Sequence, residues 1–206
     1  MCGIMSAMTE VSSLTGRLLV ASPALADPNF DRAVVLLLDH DEEGSLGVVL
    51  NRPTPVGVGD ILLPWAPLAG DPGVVFQGGP VSLDSALGVA VVPGDESLSP
   101  GSRLRSGRGD PIGWRRVHGA IGLVDLEAPP ELLAAALGSL RIFAGYSGWG
   151  PGQLEEELKT GAWYVVESEP GDVSSPEPEG LWRAVLRRQR SRLAMIATYP
   201  DDPSLN

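Results

Sequence analysis

Gly145-Tyr146-Ser147-Gly148-Trp149-Gly150-Pro151-Gly152-Gln153-Leu154 runs directly into Glu155-Glu156-Glu157-Leu158. This stretch packs four glycines, two aromatics and a proline between the apolar run 140–144 and an acidic, amphipathic turn. Glycine backbone tolerates positive φ and lets another segment or a ligand approach closely. The pattern predicts a strand over 141–145, a Gly-rich loop over 145–153 and a short helix from Leu154, with Gly161 as its C-cap. Within that helix Glu155 and Lys159 are spaced as an i,i+4 ion pair. Tyr146 and Trp149 suit the role of amphipathic plugs that close the loop.

Strand, glycine turn and helix is also the setting of nucleotide loops, but the chemistry does not match. Gly150 and Gly152 fit G-x-G-x-x-G, and Glu155 then stands where the last glycine belongs. A P-loop lacks its lysine and hydroxyl pair. Three glutamates at the start of the helix already complement its dipole and would repel phosphate. Gly145-Tyr146-Ser147-Gly148-Trp149 approaches G-x-S-x-G, with Trp149 in the final glycine position. Both histidines, His40 and His118, precede Ser147, the reverse of the order an α/β-hydrolase requires. No cofactor motif is legible, and none is expected.

Upstream, residues 14–22 read as a first strand. Residues 33–39 form an apolar, β-rich run typical of a strand buried on both faces. His40-Asp41-Glu42-Glu43-Gly44 then makes an acidic hairpin tip before 46–50 resume the strand pattern. Adjacent residues in such a tip point apart, so a solvated turn rather than a metal centre is expected, and no metal is assigned. Asn51-Arg52-Pro53 ends the hairpin and holds a rigid guanidinium fork suited to carboxylate or phosphate. Val74-Val75-Phe76-Gln77 delivers the tight turn Gly78-Gly79-Pro80. Strands are expected over 86–92 and 117–126, and a helix through Leu140 opens at Pro129-Pro130, with Leu132, Leu133, Ala136, Leu137 and Leu140 on one face. Residues 163–167 make a last strand. Residues 169–180 read as a Pro/Ser/acid linker, and 181–197 as a final amphipathic helix carrying five arginines. That helix is expected to dock by its apolar side. Residues 1–13 read as a disordered tail, and 94–113 and 168–180 as mobile segments of one domain spanning 14–206.

Composition bounds the function. The 206 residues suit one domain, 43% are hydrophobic, and the net charge is −11. Such a charge repels phosphate backbones and disfavours nucleic acid as a partner. The single cysteine, Cys2, leaves no intramolecular disulfide. The first residues lack the features of a signal peptide, and no apolar run approaches the ~20 residues of a membrane helix. A cytoplasmic protein without membrane insertion is expected. Paired strands early and helices late argue for α+β around one core.

Several motifs in order resemble the AlgH/YqgE family of small bacterial proteins. They are Leu14-Thr15-Gly16, Leu19-Val20-Ala21-Ser22-Pro23, Asp27-Pro28-Asn29-Phe30-Asp31-Arg32, Gly47-Val48-Val49-Leu50-Asn51-Arg52-Pro53 and Gly78-Gly79-Pro80-Val81. The series continues with Gly145 to Trp149, Gly152-Gln153-Leu154, Gly161-Ala162-Trp163 and Pro203-Ser204-Leu205-Asn206. The resemblance implies a single α+β domain whose strongly bent, mostly antiparallel sheet forms a pseudo-barrel with flanking helices. It brings a transcriptional-regulator label for some members and no catalytic mechanism. The 102–109 arginine-rich loop and the 169–180 linker depart from it.

The expected function is a non-enzymatic regulatory or binding module with a small-molecule or protein partner. Candidate ligand-binding residues are Arg32, Asn51, Arg52, Gly78, Gly79, Gly145, Tyr146, Gly148, Trp149 and Gln153. A DNA-binding regulator using the C-terminal arginines is the second reading. A hydrolase using His40 or His118 is the third.

Overall fold

The computed structural model describes residues 13–93 and 110–200. The tail before Ser13, Cys2, the 102–109 arginine loop and the last six residues lie outside them. Ten strands form one sheet: β1 (Leu18–Ala21), β2 (Val34–Asp41), β3 (Gly44–Val49), β4 (Pro53–Gly57), β5 (Val74–Gln77), β6 (Val81–Val91), β7 (Trp114–His118), β8 (Ile121–Val124), β9 (Ser139–Trp149) and β10 (Trp163–Val166). Their order is β10-β1-β2-β3-β9-β6-β8-β7, and β4 pairs with β5, which lies parallel to β9. Every other pairing between these strands is antiparallel.

β9 is the hinge of the whole sheet. Its first part, Ser139 to Ala144, pairs with β6, while Ser147 to Trp149 pair with β3. Between them the register against β6 slips, Val81 facing Tyr146 and Ala86 facing Ala144. Gly145, at φ +68°, sits on this irregularity. Such a bulge bends a strand and increases its twist, so β9 turns the corner and the sheet curls strongly. The result is a single α+β domain, as the resemblance implies.

The curl creates an inside and two outer faces. Inside, Leu18, Val20, Leu36, Val48, Phe76 and Phe143 meet Trp182, Val185 and Leu186 of α4 (Leu181–Arg187). On one outer face Leu19, Val35, Leu37 and Val49 lie beneath Trp149, Trp163 and Leu154 of α2 (Gln153–Lys159). On the other, Val75, Ala90 and Ile142 lie beneath Trp65, Leu133 and Val58 of α1 (Val58–Ile61). β2 contributes alternate residues to two of these clusters, and that is why its run is apolar on both faces. Among the described residues no helix is long and apolar enough to cross a membrane.

Several local expectations are corrected. Residues 145–149 are strand rather than loop, because the glycines bend β9 without ending its pairing. Residues 117–126 are not one strand: the hairpin of β7 and β8 turns at Gly119, φ +53°. The helix through Leu140 is reduced to a 3-10 turn, Pro130–Leu132, followed by isolated turns. Leu140 is claimed by the β9 ladder instead, and Leu132 is 55% exposed. The final helix is two pieces, α4 and α5 (Leu193–Ile196), separated where Arg188 turns to bond Asp172 at 2.8 Å. Lys159 pairs with Glu156 at 2.6 Å, not with Glu155.

The 169–180 segment is not a bare linker. It carries α3 (Pro170–Val173) and a 3-10 turn, Pro178–Gly180, and it buries Asp172, Val173 and Pro178. Asp172 accepts from Glu169 N at 2.7 Å and from Arg188, whose pKa rises through that hydrogen bond. Arg188, just past α4, is thus bonded within the protein, while Arg187, Arg190 and Arg192 are exposed. Arg183 donates to the carbonyls of Ala197 and Tyr199.

Candidate functional site

The Gly78-Gly79 turn lies flat against the corner of β9. Gly78 N donates to Ala144 O at 2.9 Å, and Gly78 O accepts from Val49 N at 2.9 Å and from Ser147 Oγ at 3.1 Å. A Cβ on Gly78 would stand 2.3 Å from Gly145 O. No side chain fits there, so this pair of glycines brings two backbones together rather than admitting a ligand between them. Ser147 is fully buried by the same contact, which removes it as a nucleophile.

Next to this junction lies a cluster of arginines. Arg32 adopts φ +51°, a strained conformation for a non-glycine residue. Asn51, 4% exposed, holds that bend: its Oδ1 accepts from Val34 N and its Nδ2 donates to Arg32 O, both at 2.9 Å. The Arg32 guanidinium then lies 5.1 Å from the centre of the Trp182 ring and donates to Pro200 O. Arg52 follows Asn51 and donates to Asp31 O. Burial lowers its pKa, and the nearby Asp31 carboxylate partly raises it.

Arg32, Asn51, Arg52 and Arg183 border one cavity of ≈ 270 Å³, together with Trp182, Asp31 and Glu179. Arg52 also borders a small cavity of ≈ 70 Å³ with Gln77, Gly79 and Pro28. Arg32, Asn51, Arg52, Gly78, Gly79, Gly145 and Tyr146 are thus brought to one region, with Val81 bridging Gly79 and Tyr146.

Trp149 and Gln153 go elsewhere. Trp149 stacks with Phe30 and meets Trp163 edge-on, with centroids 6.2 and 6.0 Å apart. The Glu157 carboxylate accepts from Trp149 Nε1 at 2.9 Å, Trp163 Nε1 at 2.8 Å and Gln153 Nε2 at 3.0 Å. This is a structural cap on the outer face. Gly148 is exposed beside the Tyr146 ring.

The histidines separate too. His40 is buried, with Nδ1 2.8 Å from Ser45 Oγ and Nε2 3.7 Å from Glu155. Ser45 is its cross-strand neighbour in the β2–β3 ladder, so the contact follows from hairpin register. His118 is exposed at the end of β7. Strand alternation points Asp39 and Asp41 away from His40. Among the described residues no three His, Cys, Asp or Glu side chains form a metal-binding group.

Sequence reasoning overlooked Trp182 and Arg183 as site residues, because helix periodicity does not say which neighbour a face will meet. It also passed over Arg141, 3% exposed in the middle of β9. The signal was present: a lone charge inside the apolar run Leu140-Arg141-Ile142-Phe143.

Residues 18–194 match the model of a family described as AlgH-like. A UPF0301 protein of Streptomyces avermitilis is 83% identical over 98% of this chain and 100% of its own length. A UPF0301 protein of Thermobifida fusca is 46% identical, again over 98% of this chain and 100% of its own. Among solved structures, a Corynebacterium diphtheriae protein has a TM-score of 0.79 at 32% identity, covering 90% of this chain and 92% of that one. The AlgH protein of Pseudomonas aeruginosa has a TM-score of 0.60 at 25% identity, covering 96% of this chain and 100% of that one.

Proposed function

The chain belongs to the AlgH-like family, and we propose that it is a cytoplasmic, non-enzymatic binding module that takes a small organic anion in the arginine cavity. One observation carries this reading: Arg32, Arg52 and Arg183 border a single ≈ 270 Å³ cavity in a protein of net charge −11. Guanidiniums are weakly hydrated forks that match carboxylate and phosphate oxygens. Trp182 offers a flat apolar surface to the body of the ligand. Asp31 and Glu179 balance part of the charge, which favours a small anion with hydrogen-bond donors over a polyanion. The strained backbone of Arg32, held by buried Asn51, supports a site formed before the ligand arrives.

The DNA-binding reading would rest on the exposed Arg187, Arg190 and Arg192, since Arg188 is held by Asp172, and the net charge of −11 opposes a phosphate backbone. A hydrolase using His40 would need that buried ring to act on a substrate, and its nearest partners are its own hairpin and Glu155.

The test is a thermal-shift screen of the purified protein against carboxylates, phosphate and nucleotides, followed by titration calorimetry. A ligand held only by the native state stabilises it by about 2.7 kcal/mol at a hundredfold excess over Kd. Arg52→Ala should weaken the hit about tenfold or more. The reading fails if no anion raises the midpoint, or if Arg52→Ala leaves the affinity unchanged.

A further inference from the structure

We propose a second, separate site: the proline-walled groove beside β4 takes a small organic amine, an ammonium group on an apolar body. The groove has a volume of ≈ 700 Å³ and is walled by Pro53, Pro55, Pro72, Pro176 and Pro178, with Val74 among them. That size suits a small ligand, and mostly apolar walls with a few charged groups are usual for one. Proline has little side-chain freedom to lose, so such walls order at small cost when something binds.

The walls come from β4, from the turn before β5 and from the segment before α4, three separate parts of the chain. Arg141 fixes two of them from behind. Its Nη2 donates to Asp71 O at 3.1 Å and to Ser175 O at 2.7 Å, the residues immediately before Pro72 and Pro176. The guanidinium lies 4.2 Å from the centre of the Phe76 ring, is not part of the lining, and keeps its Nε and Nη1 buried. It shapes the groove and offers it no donor.

The lining is poor in hydrogen-bond donors and rich in acceptors. Its five prolines have no backbone N–H. Val74 N donates to Pro72 O at 2.7 Å, Gly180 N to Glu177 O at 3.1 Å and Thr54 Oγ1 to Val75 O at 2.7 Å, so these donors are already spent. The only charged members of the lining are Glu177 and Glu179, both exposed. Two carboxylates leave the groove net negative even with one guanidinium behind its wall. An anion meets neither free donors nor opposite charge in it. An ammonium group brings three N–H donors and a positive charge, while its apolar body covers the prolines. The groove and the arginine cavity thus select opposite charges, and Glu177 belongs to the groove alone.

The experiment uses the full chain with phenethylammonium, butylammonium, 2-phenylethanol and phenylacetate as probes, so that charge and apolar body vary separately. Affinity is read by calorimetry, and the place of binding by the amide signals of Val74 and Gly180 in nitrogen-15 spectra. Phenethylammonium should bind, shift both signals and weaken as salt is added. Butylammonium should bind several-fold more weakly and 2-phenylethanol at least tenfold more weakly, while phenylacetate leaves both signals in place. Glu177→Gln should weaken phenethylammonium several-fold, and Glu177→Gln combined with Glu179→Gln at least tenfold. Arg52→Ala should leave that affinity unchanged, which separates this groove from the arginine cavity. The proposal is overturned if phenethylammonium does not bind, if 2-phenylethanol matches it, or if the double variant keeps its affinity. Tetralysine binding more tightly than phenethylammonium would overturn it in favour of a basic protein segment.

Discussion

At Gly145 one dihedral angle decides the path of β9. Its φ of +68° costs an L-residue roughly 1–2 kcal/mol, and a Cβ there would stand 2.7 Å from Val81 O. Gly145→Ala should therefore lower stability by about 2 kcal/mol or more, measured by urea denaturation. Gly148→Ala is the matched control. Its Cβ would meet the Tyr146 ring at an ordinary 3.6 Å, and the change should stay within about 0.5 kcal/mol. Equal losses at the two positions would remove the bend as the reason for the glycine. The same scale explains Asn51, which the sequence marks as a ligand residue. Its side chain is consumed by Val34 N and Arg32 O, so it shapes the cavity through the backbone.

At the scale of elements, α2 is joined to the sheet through Glu157 more than through its length of seven residues. A helix that short has little stability of its own. Glu157→Leu leaves two indole N–H groups without their acceptor, at about 1–3 kcal/mol each when buried. The melting temperature should fall by several degrees, since about 1 kcal/mol moves a domain of this size by 2–4 °C. Glu156→Leu removes only a surface pair with Lys159 and should change the midpoint little. Comparable shifts for the two variants in calorimetry would contradict the capping role. The short α4–α5 break belongs to the same scale. Helical periodicity runs through 181–197, yet α4 stops at Arg187, and the next residue, Arg188, bonds Asp172 and Glu167 O.

For the whole molecule, β9 contributes to all three apolar clusters and β1–β3 to two of them, so these strands should open only when the protein unfolds globally. Hydrogen exchange should be slowest in β2 and in β9 from Leu140 to Phe143, all buried. α5, which has no buried residue, should exchange through local opening. Finding α5 as protected as β2 would show that the C-terminal helices belong to the central cooperative unit. The arginine cavity also draws on distant parts of the chain: Glu179 borders it, so Glu179→Gln should strengthen binding of an anion without hydrogen-bond donors by removing a repulsion, as read by calorimetry.

Much of this was legible in the chain. β2 was readable because burial on both faces leaves an unbroken apolar run, and the β2–β3 hairpin because its tip is polar. β5 and β10 were readable from β-branched and aromatic residues between turn signals. The motifs within the described residues that resemble the AlgH family stand along the strands and turns that build the curl. The sequence could not say that Gly145 to Trp149 stay in the sheet, since glycine marks a bend and a loop alike. Only the pairing with β3 on one side and β6 on the other tells the two apart. Nor could it divide the candidate residues. Arg52 and Gly79 meet at one cavity while Trp149 and Gln153 serve Glu157, because sheet curvature brings together residues far apart in the chain and separates neighbours. Local periodicity sets which faces are apolar; long-range pairing decides what each face meets.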